Sequence, residues 1–221
     1  MKAILLRQPG GPTALEYVEL PTPVPGDGEV LVQADTIGVS MPEVLVRKGV
    51  YNWMPPLPAI PGIEMSGIVV AQGRNVAAPA IGQPVFISAR DLPVRAGCYA
   101  EYIAVPARAA YPLPPDCSLE AAACLSNYQV AYHVLHTAAR GITAESVLIH
   151  NAASPALRFF SIHSFDDRPD IRAATMKTLL GHLAAGEIRP LIHDRLPLAD
   201  AARAHQLLEA GAVIGKLLLK P

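Results

Sequence analysis

The sequence has few cysteines, and they lie far apart. The chain contains three of them, Cys98, Cys117 and Cys124. Their spacing lacks the close pairs of a zinc-ligand signature, and an odd number argues against a framework of disulfides. We therefore expect reduced thiols and a cytoplasmic location.

Charge and long apolar runs are also scarce. Charged residues make up 17% of the chain, the formal net charge is −1, and no long basic run occurs. This excludes the usual features of a nucleic-acid or membrane-surface partner. No apolar stretch reaches the roughly 18 residues of a transmembrane helix, and the short N-terminal run predicts a strand rather than a signal peptide. We expect a soluble protein with no nucleic-acid partner and no membrane partner.

Proline, by contrast, is abundant in the first half of the chain. Most of the 22 prolines lie before residue 116, and proline is confined to turns and to the edges of strands. Short strands separated by turns are therefore predicted, with one or two helical turns after Met41. The strands cover residues 2–7, 15–20, 29–37, 66–71, 85–88 and 98–105. So many short strands are typical of a barrel-like or sandwich lobe.

The second half is richer in alanine and leucine and predicts helices with a few strands. A helix capped by Asp116 or Ser118 runs to about Ala139. Glycines that follow two later apolar runs predict the ends of two further helices. The predicted helices cover residues 170–185 and 199–210, and the predicted strands cover 146–150, 157–162, 191–194 and 214–219.

The sequence has no glycine-rich nucleotide-binding turn after the predicted strand at residues 146–150, where a dinucleotide-binding fold would have one. The segment "SVLIHNAASPALRFFSIHSF", residues 146–165, begins like the first strand of a dinucleotide-binding unit. It continues with Ser154-Pro155 and a second apolar run, and no G-x-G-x-x-G pattern occurs anywhere in the chain. Those glycines allow the tight turn and the close approach of the pyrophosphate to a helix N-terminus. Without them we expect this chain to bind no cofactor.

Seven segments, taken in order, resemble the quinone oxidoreductase branch of the medium-chain dehydrogenase/reductases. They read "PGDGEVLVQADTIGVS", "VLVRKGVY", "PPLPAIPGIEMSGIVVAQG", "CYAEYIAVPA", "LPPDCSLEAAACLSNYQVAYHVL", "SVLIH" and "LAAGEIRPLIHDRLPLADAARAHQLLEAGAVIGKLLLKP". The resemblance implies a mainly β fold with helices (α+β): a GroES-like, partly open β-barrel catalytic lobe plus a remnant of a Rossmann sheet. In the family, a cleft between the two lobes holds NADPH and substrate.

The resemblance also implies that most of the Rossmann domain is missing. The first Rossmann strand is followed almost directly by a segment similar to the last, with the junction near residues 154–155. At about 30 residues for each βα unit, about 100 residues are absent. The predicted domains are a catalytic lobe from residues 1–124 and 166–221, and a nucleotide-binding remnant from residues 125–165. An engineered deletion and a naturally shortened protein both remain open.

The resemblance further implies a site without zinc. Zinc alcohol dehydrogenases have a cysteine where Ser40 stands and a histidine where Ile63 stands, before a retained Glu64. The sequence also lacks the four closely spaced cysteines of the structural zinc lobe. If Glu64 is buried, it should pair with a lysine, an arginine or backbone N–H groups.

By resemblance, the candidate substrate-binding residues are Ser40, Tyr51, Asn127 and Gln129. Tyrosine offers a flat apolar face and a hydroxyl that suit a quinone ring and its carbonyl. The candidate cofactor-binding residues, applying to the parent enzyme, are Ser40, Val130 and Lys216. Plainer interpretations stay open: Ser40 as a loop serine, Tyr51 as a core aromatic residue and Lys216 as a surface lysine. No residue is assigned a certain catalytic role.

Two functions therefore remain. The chain is the substrate-binding lobe of an NADPH-dependent quinone or enone oxidoreductase, inactive alone because its cofactor domain is deleted. Alternatively, it is a naturally shortened binding or structural module without enzymatic activity. In either case the apolar segment Leu157–Phe165 forms an exposed sheet edge, so it predicts a homodimer or higher oligomer.

Overall fold

The computed structural model describes residues 1–138 and 162–221. Its strands are β1 Lys2–Leu6, β2 Leu15–Glu19, β3 Glu29–Val39, β4 Glu64–Gln72, β5 Pro84–Ser88, β6 Tyr102–Pro106, β7 Ala110–Pro112, β8 Ile192–Pro197 and β9 Lys216–Lys220. Its α-helices are α1 Met41–Lys48, α2 Leu119–Ala122, α3 Leu125–Tyr132, α4 Pro169–Ala184 and α5 Ala201–Glu209. Short 3-10 helices cover Pro12–Ala14, Ala89–Asp91, Ala107–Ala109, Ile162–Phe165 and Leu198–Asp200, and a π-helix covers His133–Ala138.

One sheet pairs strands from the first half of the chain with the two C-terminal strands β8 and β9. Within the described ranges its order is β7-β5-β4-β3-β9-β8, with β6 also paired to β3 and a separate β1–β2 hairpin. All the pairs are antiparallel except the parallel pair β8–β9. These described strands do not form a closed barrel. The mixed α/β architecture with an open multi-stranded sheet confirms the predicted fold class.

The C-terminal strand β9 lies inside the sheet, between β3 and the edge strand β8. Leu217, Leu218 and Leu219 are fully buried, because β3 and β8 flank the strand and both of its faces are covered. Successive side chains of a strand point to opposite faces. Leu217 and Leu219 accordingly join the main core, whereas Leu218 packs with Ala123 and Cys124. Burial of each leucine contributes about 1.5–3 kcal/mol to the free energy of unfolding.

Gly38, near the end of β3, allows close packing at the same place. A Cβ atom there would lie 2.4 Å from the carbonyl oxygen of Ala123 and 2.7 Å from the Glu64 side chain. Distances below 3.0 Å do not occur for real Cβ atoms. The glycine therefore lets the loop before α3 and the start of β4 approach the end of β3.

The observed helices agree with those predicted from the sequence, except that one predicted helix is divided. Ser118 caps α2, as predicted, and its hydroxyl accepts the Ala121 N–H at 3.3 Å. The single helix predicted to continue to Ala139 is instead divided into α2, α3 and a π-helix. The left-handed glycines Gly186 and Gly211 follow α4 and α5, as predicted.

Two strand predictions need correction. The strand predicted from residue 98 begins only at Tyr102, since Cys98–Ala100 lie in a loop whose backbone bonds to β1 and to Pro61 and Gly62. The segment 157–165, predicted as a strand, ends in the 3-10 helix Ile162–Phe165. Arg172 donates to the carbonyls of Phe165 and Asp166 at 2.7 and 2.6 Å, which holds this end in a turn.

Several predictions lie outside the described residues. They are the strand 146–150, most of the strand 157–162 and the junction near residues 154–155. The domain boundaries also stay predictions. In the described ranges, no helix combines the length and the apolar character needed to cross a membrane.

Candidate functional site

A buried lysine, carboxylate and serine meet where three strands of the sheet end or begin. Antiparallel pairing of Val39 with Leu217 places the next residues, Ser40 and Lys216, side by side. The Lys216 ammonium donates to Ser40 Oγ at 2.5 Å and forms an ion pair with Glu64 Oε1. Ser40 Oγ also donates to Glu64 Oε1 at 3.4 Å. Lys216, Ser40 and Glu64 are 5%, 7% and 0% exposed, so the charges compensate one another out of water.

A second carboxyl group, that of Glu43, lies beside this network. Glu43 is fully buried in the first turn of α1. It accepts the Ser40 N–H at 3.1 Å and the Ile63 N–H at 3.2 Å. Burial raises its pKa to about 8, although the nearby Lys216 ammonium acts in the opposite direction. Glu43 is therefore predominantly protonated at neutral pH.

The two buried carboxyl groups anchor the wall of a small cleft, which we call the Tyr51 cleft. It is lined by Tyr51, Ile63, Ser88, Arg90, Arg95 and Ser126. Glu43 holds the backbone N–H of Ile63, and Glu64 holds that of Ser126 at 3.0 Å. The bond from Ser126 goes to a carboxylate that is ion-paired with Lys216, and hydrogen bonds to charged groups are among the stronger ones in proteins. Two lining residues are thus fixed in place from beneath.

Tyr51 contributes an aromatic wall to the cleft. The side chain is half-buried, and its ring lies 5.6 Å from that of Trp53 at a tilt of 55°. Burial raises the pKa of its hydroxyl, which is the main effect, against the lowering by Arg90 and Arg95. The group is therefore a neutral phenol that donates and accepts hydrogen bonds.

The structure distributes the sequence-predicted site residues between two places. Ser40 and Lys216 meet directly, and Tyr51 lines the cleft beside them. The interpretation of Lys216 as a surface lysine is wrong, because the β9 register buries it against Glu64. The expectation that a buried Glu64 pairs with a lysine, an arginine or backbone N–H groups is confirmed, since its partners include Lys216 and the Ser126 N–H.

The three candidates on α3 do not line the cleft. Gln129 is 2% exposed, Val130 is 37% exposed, and Asn127 is exposed. Val134, in the next turn, is 36% exposed. The roles predicted for Asn127, Gln129 and Val130 in binding stay predictions.

Three residues of the site were not found from the sequence. Glu43 belongs to the pattern Ser-x-x-Glu in "SMPE", which is a known signal of a helix N-terminus. Arg90 and Arg95 lie in the turn-rich stretch "SARDLPVRAG", where neither periodicity nor a motif marks them. Only the tertiary structure brings these two arginines to the Tyr51 cleft.

The residues present do not fit a zinc ion at the family position. Ser40 stands where the zinc enzymes have cysteine, and its hydroxyl is bonded to the Lys216 ammonium. A cation in contact with the hydroxyl opposes a second cation there. Among the residues that the structure describes, no group of three His, Cys, Asp or Glu side chains is arranged to hold a metal.

The sequence lacks one feature with which the family is expected to hold NADPH. The sequence has no glycine-rich turn after a strand to approach a pyrophosphate. Lys216, predicted to face the cofactor in the parent enzyme, is instead engaged by Glu64 and Ser40.

Two family models match the chain. The one described as "Alcohol dehydrogenase GroES-like domain" matches residues 26–115. The one described as "Zinc-binding dehydrogenase" matches residues 120–219. Together they span nearly the whole chain.

Curated relatives match part of their own length. The human quinone oxidoreductase is 33% identical over 155 residues, which cover 69% of this chain and 46% of that protein. The rat synaptic vesicle membrane protein VAT-1 homolog is 36% identical over 132 residues, covering 59% of this chain and 31% of that protein. The chain thus spans less than half of the length of these relatives.

Solved structures share the fold across the chain. The Escherichia coli quinone oxidoreductase complexed with NADPH has a TM-score of 0.77 at 20% identity, with both chains covered completely. The human VAT-1 homolog-like protein has a TM-score of 0.83 at 20% identity, covering 100% of this chain and 98% of that one. At this level of identity the likeness establishes the fold alone.

Proposed function

This chain belongs to the medium-chain dehydrogenase/reductase superfamily, and from that premise we propose that it is the substrate-binding lobe of an NADPH-dependent quinone or enone oxidoreductase. The lobe binds the quinone. It does not catalyse hydride transfer alone, because its sequence lacks the glycine-rich turn that would hold the cofactor. NADPH is the cofactor of the parent enzyme and is not bound by this lobe. A cytoplasmic location is part of the proposal, since the three free cysteines suit a reducing compartment.

The Tyr51 cleft carries this proposal together with a neighbouring depression of about 680 Å³, which shares Arg90 and Arg95 with the cleft and has room for the ring. A flat aromatic wall with a neutral hydroxyl stands beside a wall that Glu43 and Glu64 hold through backbone hydrogen bonds. A quinone presents a planar apolar ring and carbonyl oxygens that accept hydrogen bonds. Tyr51, Arg90 and Arg95 supply the ring contact and the donors.

Calorimetric titration with a quinone tests this function. We expect duroquinone, whose fully substituted ring resists addition of thiols, to bind in isothermal titration calorimetry. Tyr51→Ala should weaken this binding about tenfold, through the lost ring contact. Tyr17→Ala is the matched control, because Tyr17 is 47% exposed on β2. Equal loss in both variants, or no binding to the native protein, would refute the proposal.

The cofactor part is tested separately by the fluorescence of NADPH. Titration with the protein should give no saturable change at micromolar concentrations. Saturable binding would show that the chain contains a cofactor site of another design. The addition of duroquinone and absorbance at 340 nm would then measure turnover.

A second candidate is a non-enzymatic module that oligomerises. The exposed apolar side chains Val130 and Val134, near the start of the segment that leads to residues 157–165, favour a covered surface in this region. This candidate predicts a dimer or larger species in light scattering that does not bind duroquinone, whereas the first candidate predicts an oligomer that does. A monomer at high protein concentration would contradict it.

A further inference from the structure

A larger depression opens next to the Tyr51 cleft, and we call it the arginine pocket. It has a volume of about 680 Å³ and shares Arg90 and Arg95 with the cleft. Four arginines and three aspartates are among its lining residues, which leaves an excess of one positive charge. The arginines are Arg90, Arg95, Arg108 and Arg172, and the aspartates are Asp91, Asp166 and Asp167.

The excess charge is concentrated on Arg90 and Arg95. Arg172 is paired with Asp91 at 2.7 Å. Arg90 and Arg95, by contrast, share the single carboxylate of Asp166, at 3.3 and 2.7 Å. Their side chains are only 17% and 16% exposed, so water screens them poorly and an anion gains more from their charge.

An aromatic surface adjoins these two arginines. Trp53, the only tryptophan of the sequence, lies 3.3 Å from the His163 ring at 13°, which is a stacked arrangement. The Arg95 guanidinium lies 5.2 Å from the centre of the Trp53 ring. Trp53 thus presents an aromatic face beside two guanidinium groups.

The segment His163–Asp166 shows what chemistry this surface accepts. His163 places a flat ring on Trp53, and Asp166, three residues later, places a carboxylate on Arg90 and Arg95. A planar ring that carries an acidic group offers both features in one small molecule. The Nδ1 atom of His163 also lies 3.3 Å from Arg90 Nη1 and 2.8 Å from Arg95 Nη1. Such a planar acid would replace the ring contact of His163 and the acceptor atoms that His163 and Asp166 present to the arginines.

We propose that Trp53, Arg90 and Arg95 form a subsite for planar aromatic acids, with the ring on Trp53 and the acidic group on the two arginines. This inference rests on the proposed function and refines it, because the pocket continues into the Tyr51 cleft. The preferred quinones of this protein therefore carry a carboxylate or sulfonate. Asp166 competes for the arginines and His163 competes for the Trp53 ring, so both side chains must be displaced when the acid binds.

The test compares anthraquinone-2-carboxylate with its neutral carboxamide by calorimetry. Charge-assisted hydrogen bonds to the arginines should make the carboxylate bind about 10- to 100-fold more tightly. Arg95→Gln and Arg90→Gln should each remove most of this preference. The ratio of the acid affinity to the amide affinity is the readout, because both arginines also supply donors to the quinone carbonyls. Arg74→Gln is the matched control, because the Arg74 side chain is 87% exposed on another surface.

Substitution of Asp166 should strengthen binding of the acid, whereas substitution of the arginines should weaken it. Asp166→Asn should tighten carboxylate binding severalfold, because it removes the competing charge. Asp170→Asn should not, since Asp170 pairs with Arg168 on the exposed surface. Emission from Trp53, which is the chain's only tryptophan, reports occupancy of the subsite in the same titrations.

The outcomes separate this inference from the proposed function. Equal binding of acid and amide to the native protein would overturn the acid subsite and leave quinone binding intact. Tight binding of anthracene-2-carboxylate, which has no quinone carbonyls, without binding of the amide would support the subsite and overturn the quinone function. Inorganic phosphate binding as tightly as the aromatic acid would overturn the subsite, since no ring would then be needed.

Discussion

Replacing Glu43 with glutamine tests the buried carboxyl group that supports the Tyr51 cleft. In the unfolded chain this carboxyl titrates near its ordinary pKa of 4.5, whereas burial raises the pKa to about 8 in the folded protein. Between these pH values the folded state keeps a proton that the unfolded state has released. The free energy of unfolding therefore falls as pH rises through this window.

The magnitude follows from the two pKa values. One proton held only in the folded state changes the free energy of unfolding by about 1.4 kcal/mol per pH unit. Over the whole window the loss approaches about 5 kcal/mol. Glutamine has no proton to release, so Glu43→Gln is free of this loss. It gives up one acceptor for the N–H groups of Ser40 and Ile63, which costs about 1 kcal/mol at all pH values.

Urea denaturation of both proteins at several pH values between 5 and 9 measures the effect. We expect the variant to be slightly less stable at pH 5 and several kcal/mol more stable at pH 9 than the native protein. Glu16→Gln, on the exposed face of β2, is the matched control and should show no such crossover. A difference between Glu43→Gln and the native protein that stays constant from pH 5 to 9 would refute the reasoning.

Two further predictions concern the strands beneath the cleft. Lys216→Met leaves the Glu64 carboxylate buried without its cation and should lower the free energy of unfolding by about 3–5 kcal/mol, with partial recovery in Lys216→Met/Glu64→Gln. A loss below about 1 kcal/mol in urea denaturation would contradict a buried pair. Gly38→Ala places a methyl group against the Ala123 carbonyl and should lower the free energy of unfolding by at least about 1–3 kcal/mol. An unchanged thermal midpoint would show that this packing is looser than described.

The secondary structure was largely predictable because its signals are local. Proline-punctuated apolar runs indicated the strands, and glycines after apolar runs indicated the ends of α4 and α5. The prediction failed at Ile162–Phe165, where the apolar composition of the neighbouring residues favoured a strand. There, contacts from Arg172 to two carbonyls hold a 3-10 helix, and no local pattern encodes contacts from a later helix.

The site was predictable only in part. Ser40 and Tyr51 came from a resemblance to a family, and Glu64 was expected to need a partner if buried. The sequence left Lys216 open as a surface residue, since a lysine in "GKLLLK" is usually solvated. Its burial depends on the pairing of β9 with β3, between residues that are 176 positions apart in the chain.

By itself, then, the sequence determined the mainly β lobe, the lack of a glycine-rich cofactor turn and the family to which the chain belongs. These properties depend on the amino-acid composition, on patterns of neighbouring residues and on the order of the family motifs along the chain. The tertiary structure decided which charges are buried together: Lys216 with Glu64, and Arg90 and Arg95 around Asp166. The energy of a charge depends on its burial and on its neighbours in space. Strand register and loop packing set both, so no local reading of the chain could have supplied them.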